Sequence, residues 1–320
     1  MKAGAFAVLT AAGSGTRLGC NGPKALVEVG GVPMLVRAAQ GLAAAGVAGI
    51  IVTAPTEQLE FFSALFPNAR TSGGIPVEVV AGSPASRQAS VACGLAALPG
   101  FAERIGIACG EDTPVLVHDA ARCLTPPEMI ARVVAAVEAG HNAVIPAIPV
   151  TDTLKEVGPC EQAGARTEAD LCEEVGSRTE EGLHTEVAPR EEIGLRAQAG
   201  PREEAAARQT QASRAESEHA SSGATEASVV SVRPVVATPD RSRFASVQTP
   251  QGFTWQTLRR AHECAGERAN SEKTAATDDA GLVEAMGEPV VVVDGDALAL
   301  KITTAVDLAL AELLVDSSLR

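Results

Sequence analysis

A doubly wound α/β fold with a mostly parallel sheet is what three features of this 320-residue chain predict. Short apolar runs, rich in valine and isoleucine, alternate with segments of helical period. The apolar fraction is 46% but aromatics are only 2%, so the core must be built from Val, Leu, Ile and Ala. A glycine-rich stretch, Ala11 to Lys24, directly follows the first apolar run, where such folds turn from a strand toward a helix and hold phosphate.

In order, Ala5 to Thr10 reads as a buried strand. Met34 to Ala45 has helical spacing, with Pro33 suited to its first turn and Gly46 ending it. Ile50 to Thr53 is a second strand, 57–66 a helix stopped by Pro67, and Val77 to Ala81 a third strand. Helical residues run from about Ser86 to Leu98. Val115 to His118 is a fourth strand. Thr125-Pro126-Pro127-Glu128 reads as an N-cap threonine, a proline at N1 and an acid in the first turn of a helix reaching Glu138. Ala143 to Ile148 is a fifth strand. The extended runs Pro149 to Val157 and Ser231 to Ala237 read as a strand pair projecting from the sheet. Ser246 to Phe253 precedes a helix over about 254–266, Thr277 to Ala280 opens a short helix, and Val290 to Val293 is a late strand. The last helix places Ala305, Leu308, Leu310, Leu313 and Leu314 mostly on one side.

Between the two extended runs lie five tandem twelve-residue units, 164–223. Arginine recurs at 166, 178, 190, 202 and 214, with glutamate two places later each time. One leucine in each of the first three units (Leu171, Leu183, Leu195), and none in the last two, offers little to bury, and the segment contributes −6 of the net charge of −14. It reads as a solvated, mobile or partly helical insertion spanning 158–229, with 1–157 and 230–320 forming a single domain around it.

The acidic balance argues against a nucleic-acid surface. Seven cysteines, scattered and without a Cys-x-x-Cys pair, read as free thiols in a reducing cytoplasm. No apolar run approaches a membrane span, and the N-terminus lacks a signal-type core.

The Ala11–Lys24 stretch is neither a P-loop nor a dinucleotide fingerprint. Pro23 precedes Lys24 where a P-loop has glycine, and Leu18 stands where the third fingerprint glycine belongs. Ala-Ala-Gly-x-Gly-x-Arg followed by Pro-Lys fits a nucleotidyltransferase, with Arg17 and Lys24 adding fixed positive charge for a triphosphate. The loop after the third strand, Gly82 to Val91, carries small and hydroxyl residues able to bond a base edge. Asp119, at the end of the fourth strand, can hold Mg²⁺, or another divalent cation, through carboxylate oxygen. His118 beside it reads as a hydrogen-bonded structural histidine.

Ala11–Lys24, Arg87-x-x-Ser90-Val91, His118–Arg122, Asp152-Thr153-x-Lys155, Asp240-Arg241, Gln248–Gln251, Thr277–Ala280 and Lys301-Ile302-Thr303 occur in one order. In that order they resemble the 2-C-methyl-D-erythritol 4-phosphate cytidylyltransferases, enzymes of non-mevalonate isoprenoid synthesis. The sequence departs from that pattern at Cys123, where proline is usual, and by two extra residues between Gly82 and Arg87. The resemblance implies a Rossmann-like domain whose β-arm clasps a second subunit in a homodimer. It implies that Ala11, Ala12, Gly13, Gly15, Arg17 and Lys24 hold the CTP phosphates, and that Gly82 and Ser90 contact cytosine. Asp119 and Arg122 would serve the metal and substrate side. Thr153 and Arg241 would bind the substrate phosphate, reaching a neighbouring subunit's site, and Lys301 would position the substrate. Arg17, Lys24, Arg241 and Lys301 are thus the expected catalytic cations. Another polyol phosphate, such as D-ribitol 5-phosphate, is the alternative acceptor.

Overall fold

The computed structural model describes residues 4–13, 22–159, 161–162, 231–266, 269, 271 and 273–318. The chain divides into two compact units, Met1–Thr153 with Asp240–Arg320, and Leu154–Pro239. The twelve-residue repeats lie outside the described residues.

In the larger unit, β1 (Phe6–Thr10) is followed by a short hairpin of β2 (Glu28–Val29) and β3 (Val32–Pro33) and then α1 (Met34–Ala44). Next come β4 (Gly49–Ala54), α2 (Leu59–Ala64), β5 (Val77–Ala81), α3 (Arg87–Arg104), β6 (Pro114–Asp119), α4 (Pro127–Glu138) and β7 (Ala143–Pro149). β4, β1 and β6 are adjacent and parallel, with β5 outside β4. Alternation along β1 shows why the sheet is covered on both faces. Ala7 and Leu9 enter a core layer with α1 and α4, whereas Phe6 and Val8 enter a layer with α3. All four side chains are fully buried.

α3 passes through Pro99 to Arg104, beyond the end expected at Leu98. Proline removes one helix hydrogen bond and costs about 3 kcal/mol in a helix interior. Burial of Phe101 and Ala102, and the edge-on packing of Phe101 on Phe6 at 6.4 Å between centroids, carry the helix through. Gly94 lets α3 lie close on the sheet, since a Cβ there would sit 2.6 Å from Val8 Cγ1.

The smaller unit contains the expected strand pair. β8 (Glu156–Val157) runs antiparallel to β11 (Val235–Ala237), and β9 (Glu161–Gln162) to β10 (Ser231–Val232). Arg233 Nε donates to the Gly158 carbonyl at 2.9 Å, and Lys155 Nζ to Thr238 Oγ1 at 2.6 Å. Val232, Val235 and Val236 are exposed.

The chain then re-enters the sheet. β12 (Ala245–Val247) runs antiparallel to β7, and β13 (Gln251–Thr254) lies antiparallel between β6 and β7. α5 (Trp255–Cys264) and α6 (Ala280–Ala285) lead to β14 (Val291–Asp294), parallel to β7, and to α7 (Ala305–Ser318).

Two local expectations need correction. Thr125 does not cap α4: its hydroxyl donates to the Arg122 carbonyl at 2.8 Å, and Pro126 stands at the N-cap with no side-chain bond. The consecutive prolines place Pro127 at the helix start, one residue later than read. α7 does not bury the expected leucine stripe. Ala311 and Val315 are its buried residues, with Leu308 packed against the core, while Leu310 and Leu313 are exposed.

Thr304 and Asp307 form a reciprocal cap at the start of α7. The Asp307 N–H donates to Thr304 Oγ1 at 3.2 Å, and the Thr304 N–H to Asp307 Oδ2 at 2.7 Å. Thr304→Ala should lower unfolding free energy by about 1 kcal/mol, read from urea denaturation. An unchanged midpoint would show that the cap contributes nothing.

Candidate active site

The register of the parallel strands sets one rim. Thr10 lies opposite both Thr53 and Asp119, and Ala54 opposite Ala81, so the carboxyl ends of β1, β4, β5 and β6 are level. The loops singled out in the sequence leave from that edge.

The glycine-rich stretch leaves β1. Residues 14–21, including Gly15 and Arg17, lie outside the described residues. The two flanks meet: the Lys24 N–H donates to the Gly13 carbonyl at 3.2 Å, and the Ala11 N–H to the Thr53 carbonyl at 2.9 Å. Ala12, Gly82 and Ser90 converge beside it, because a Cβ on Gly82 would stand 3.2 Å from both Ala12 Cβ and Ser90 Oγ. Ser90 is buried, and its hydroxyl donates to the Ser83 carbonyl at 2.8 Å and accepts the Ser83 N–H at 3.1 Å. It therefore folds the loop after β5 back onto α3.

At the end of β6 the buried Asp119 meets two cations. Arg87, the first residue of α3, places Nε 2.9 Å from Asp119 Oδ1 and Nη1 2.7 Å from Asp279 Oδ2. Lys301 Nζ lies 2.8 Å from Asp119 Oδ2. Thr10 Oγ1 adds a bond to Asp119 Oδ1 at 3.2 Å. Burial alone would raise the Asp119 carboxyl, but Arg87 and Lys301 outweigh it and hold the group well below the usual carboxylate range. Burial likewise opposes the charge on Arg87, and Asp279 and Asp119 reverse that, raising its affinity for its proton.

Three buried or largely buried glutamines fix the loops that bring these groups in from distant sequence. Gln251 Oε1 accepts the Asp279 and Ala280 N–H groups at 3.1 and 3.0 Å, while its Nε2 donates to Asp278. Gln248 exchanges two bonds with the Asp296 backbone ahead of Lys301. Gln88 spans from the Ala265 carbonyl to the Ala276 N–H. Arg122 Nη1 donates to the Ala299 carbonyl at 2.6 Å and Nη2 to that of Val247 at 3.3 Å. The structure thus gathers Asp119 and Lys301 directly, with Arg122 on the adjoining loop. Thr153 is exposed, and the Arg241 guanidinium donates to the Thr151 carbonyl. The ion pairs around Asp119 do not extend to either residue among those described.

Asp119 is a poor fit for a divalent ion in this arrangement. One of its oxygens takes Arg87 and Thr10, the other takes Lys301, and an added dication would have to displace a cation already bonded there. Among the described residues there is no group of three or more His, Cys, Asp or Glu placed to hold a metal.

Sequence reasoning gave Arg87, Asp279, His262 and Gln251 no individual role. Arg87 and Asp279 were visible only as parts of motifs, and the 192 residues separating them carry no local pattern.

A family model for 2-C-methyl-D-erythritol 4-phosphate cytidylyltransferase matches residues 5–170 and 209–317. The chain is 38% identical over 311 residues to the enzyme of that name from Nocardia farcinica, covering 97% of this chain and 93% of the relative. It is 37% identical to that of Rhodococcus jostii, covering 98% and 96%. The crystal structure of the enzyme of that name from Thermus thermophilus superposes with a TM-score of 0.55 at 27% identity, covering 97% of this chain and 98% of the other.

His118, fully buried, hydrogen-bonds Thr249 Oγ1 through Nδ1 at 2.9 Å. Burial pushes it down to about 4; Asp119 opposes that, while Arg122 and Arg87 add to it. The folded chain therefore keeps His118 neutral where the unfolded chain takes up a proton. Its contribution is fully present above pH 6.5 and is lost as pH falls toward 4, amounting to about 3 kcal/mol across that interval. His118→Asn should flatten the fall in urea midpoint between pH 7 and 4.5. Equal slopes in variant and wild type would refute this.

Proposed function

The chain belongs to the 2-C-methyl-D-erythritol 4-phosphate cytidylyltransferase family, and on that premise we propose how its own residues carry the transfer. The enzyme moves the cytidylyl group of CTP onto the phosphate of 2-C-methyl-D-erythritol 4-phosphate. An acceptor phosphate oxygen attacks the α-phosphorus in line, the bond from that phosphorus to the bridging oxygen breaks, and pyrophosphate leaves. The attacking group is already an anion, so neither a protein nucleophile nor a strong base is required. What remains is positioning and neutralisation of charge.

The glycine-rich stretch, with Arg17 and Lys24, cradles the triphosphate, and Ala12, Gly82 and Ser90 border the base. Ala11, Gly13 and Gly15 supply main-chain contacts. Lys301 and Arg122 meet the acceptor near Asp119, and Thr153 and Arg241 take the acceptor phosphate from the neighbouring subunit of a homodimer. The observation that carries this reading is the pairing of Asp119 with Arg87 and Lys301 on the same rim as the joined flanks of the glycine-rich stretch. Asp119 serves by holding those two cations. A divalent ion such as Mg²⁺ would be carried by the triphosphate oxygens, where it neutralises charge. The exposed valines of β10 and β11 support a subunit contact through the arm. Cys93, Cys109, Cys123 and Cys264 are free, which supports a cytoplasmic setting.

Pyrophosphate release from CTP should require 2-C-methyl-D-erythritol 4-phosphate, with D-ribitol 5-phosphate a much poorer acceptor. Lys24→Ala should lower turnover by roughly 10²–10³. Equal rates with both acceptors, or near-normal turnover in that variant, would defeat the assignment. The insertion between 158 and 229 is dispensable to the chemistry in this reading. Deleting 160–228 should leave turnover per site within a few-fold of the intact chain, and loss of all activity in a folded protein would overturn that.

A further inference from the structure

A line of paired side chains runs back from the rim. His262 Nε2 lies 2.9 Å from Asp279 Oδ1, and Asp279 Oδ2 lies 2.7 Å from Arg87 Nη1. Arg87 Nε lies 2.9 Å from Asp119 Oδ1, and Asp119 Oδ2 lies 2.8 Å from Lys301 Nζ. α5, the segment before α6, α3, β6 and the segment before α7 each contribute one member. Side-chain exposure is 6% at His262, 1% at Asp279, 22% at Arg87 and 9% at Asp119, and reaches 42% only at Lys301. The rear is sealed and the front opens at the rim.

Fixed charge of this kind is a poor way to gain stability, because desolvating each ion offsets most of the attraction. It is a good way to hold one cation at one angle. Arg87 faces two carboxylates and shares its charge between them. Without the charge on Asp279, its whole attraction would fall on Asp119, and Lys301 would have to compete for the same carboxylate.

We propose that Asp279, backed by His262 and by the Gln251 side chain, is a positioning residue for the transfer: it fixes the Arg87 guanidinium so that Asp119 keeps one oxygen for Lys301. Asp279 touches no substrate in this account. It acts through Arg87 and Asp119 on the cation that does. The inference rests on the cytidylyl-transfer reading above.

Asp279→Asn keeps the shape and removes the charge. Turnover per CTP-binding site, counted by nucleotide titration, should fall tenfold or more while the KM for CTP changes by less than about threefold. Asp279→Glu should recover part of the loss. Asp119→Asn and Asp279→Asn combined should cost less than the product of the single losses, because both act on Lys301. Turnover per site within twofold of wild type in Asp279→Asn, or fully multiplicative losses in the double variant, would overturn the inference. If Asp279→Asn does not fold, His262→Ala decides. It retains the carboxylate and removes its rear bond, and a several-fold lower kcat at unchanged CTP affinity is expected, whereas kcat within twofold of wild type overturns the proposal. A wild-type protein that releases no pyrophosphate with either acceptor would instead sink the underlying reading, so the two failures are distinguishable.

Discussion

The buried contact between Arg87 and the two carboxylates of Asp119 and Asp279 is the constraint on which the rest of the site depends. It joins the start of α3 to the end of β6 and to the segment ahead of α6, three places brought together only when the sheet has formed. A guanidinium suits this position because its planar fork reaches two acids at once, where an ammonium would offer a single point of charge. Taking away either acid would leave buried charge without its counterpart, the costly way to break such a pair. Lys301 is held at the rim by the same assembly, so placement of an exposed cation is decided by groups that solvent hardly reaches.

That assembly also explains the conspicuous buried glutamines. Gln248 and Gln88 each use a donor and an acceptor to tie irregular backbone, and Gln251 accepts two backbone N–H groups while donating to the Asp278 carboxylate. Among the described residues, the loops before α6 and before α7 have no strand ladder of their own, and these side chains tie them to the sheet and to α3.

The α/β class and, apart from the two-residue strands β2 and β3, the helices and strands through β7 were legible in the sequence, because apolar runs of β-branched residues and helical spacing are local signals. β1 shows it plainly, with alternate residues feeding opposite core layers. Among the strands after the repeats, β10, β11 and β14 were legible, and β12 and β13 were not. β12 and β13 are three and four residues long, and β13 contains Gly252, so neither carries a readable period. The cap of α4 was misread because two prolines in succession leave the start of the helix ambiguous by one residue, and the Thr125 hydroxyl found a nearer acceptor. The final helix was misread because its nine apolar residues among fourteen fall on all sides, so no pattern separates its faces. At the site, Asp119 and Lys301 stood out within motifs. The roles of Arg87, Asp279 and His262 did not, because they come from pairings across 17 to 192 residues that only the folded chain reveals.

β13 has a consequence for how the molecule comes into being. It lies between β6 and β7, yet follows both by roughly a hundred residues in the chain. For a polypeptide emerging from the ribosome amino end first, this interior place in the sheet is filled late, after the whole repeat segment has been synthesised. Until then the two flanking strands each present an open ladder of amide and carbonyl groups, a vulnerability to association with other nascent chains. The ordering of these strands leaves a seam inside the sheet open until late in synthesis, with only β14 added after it.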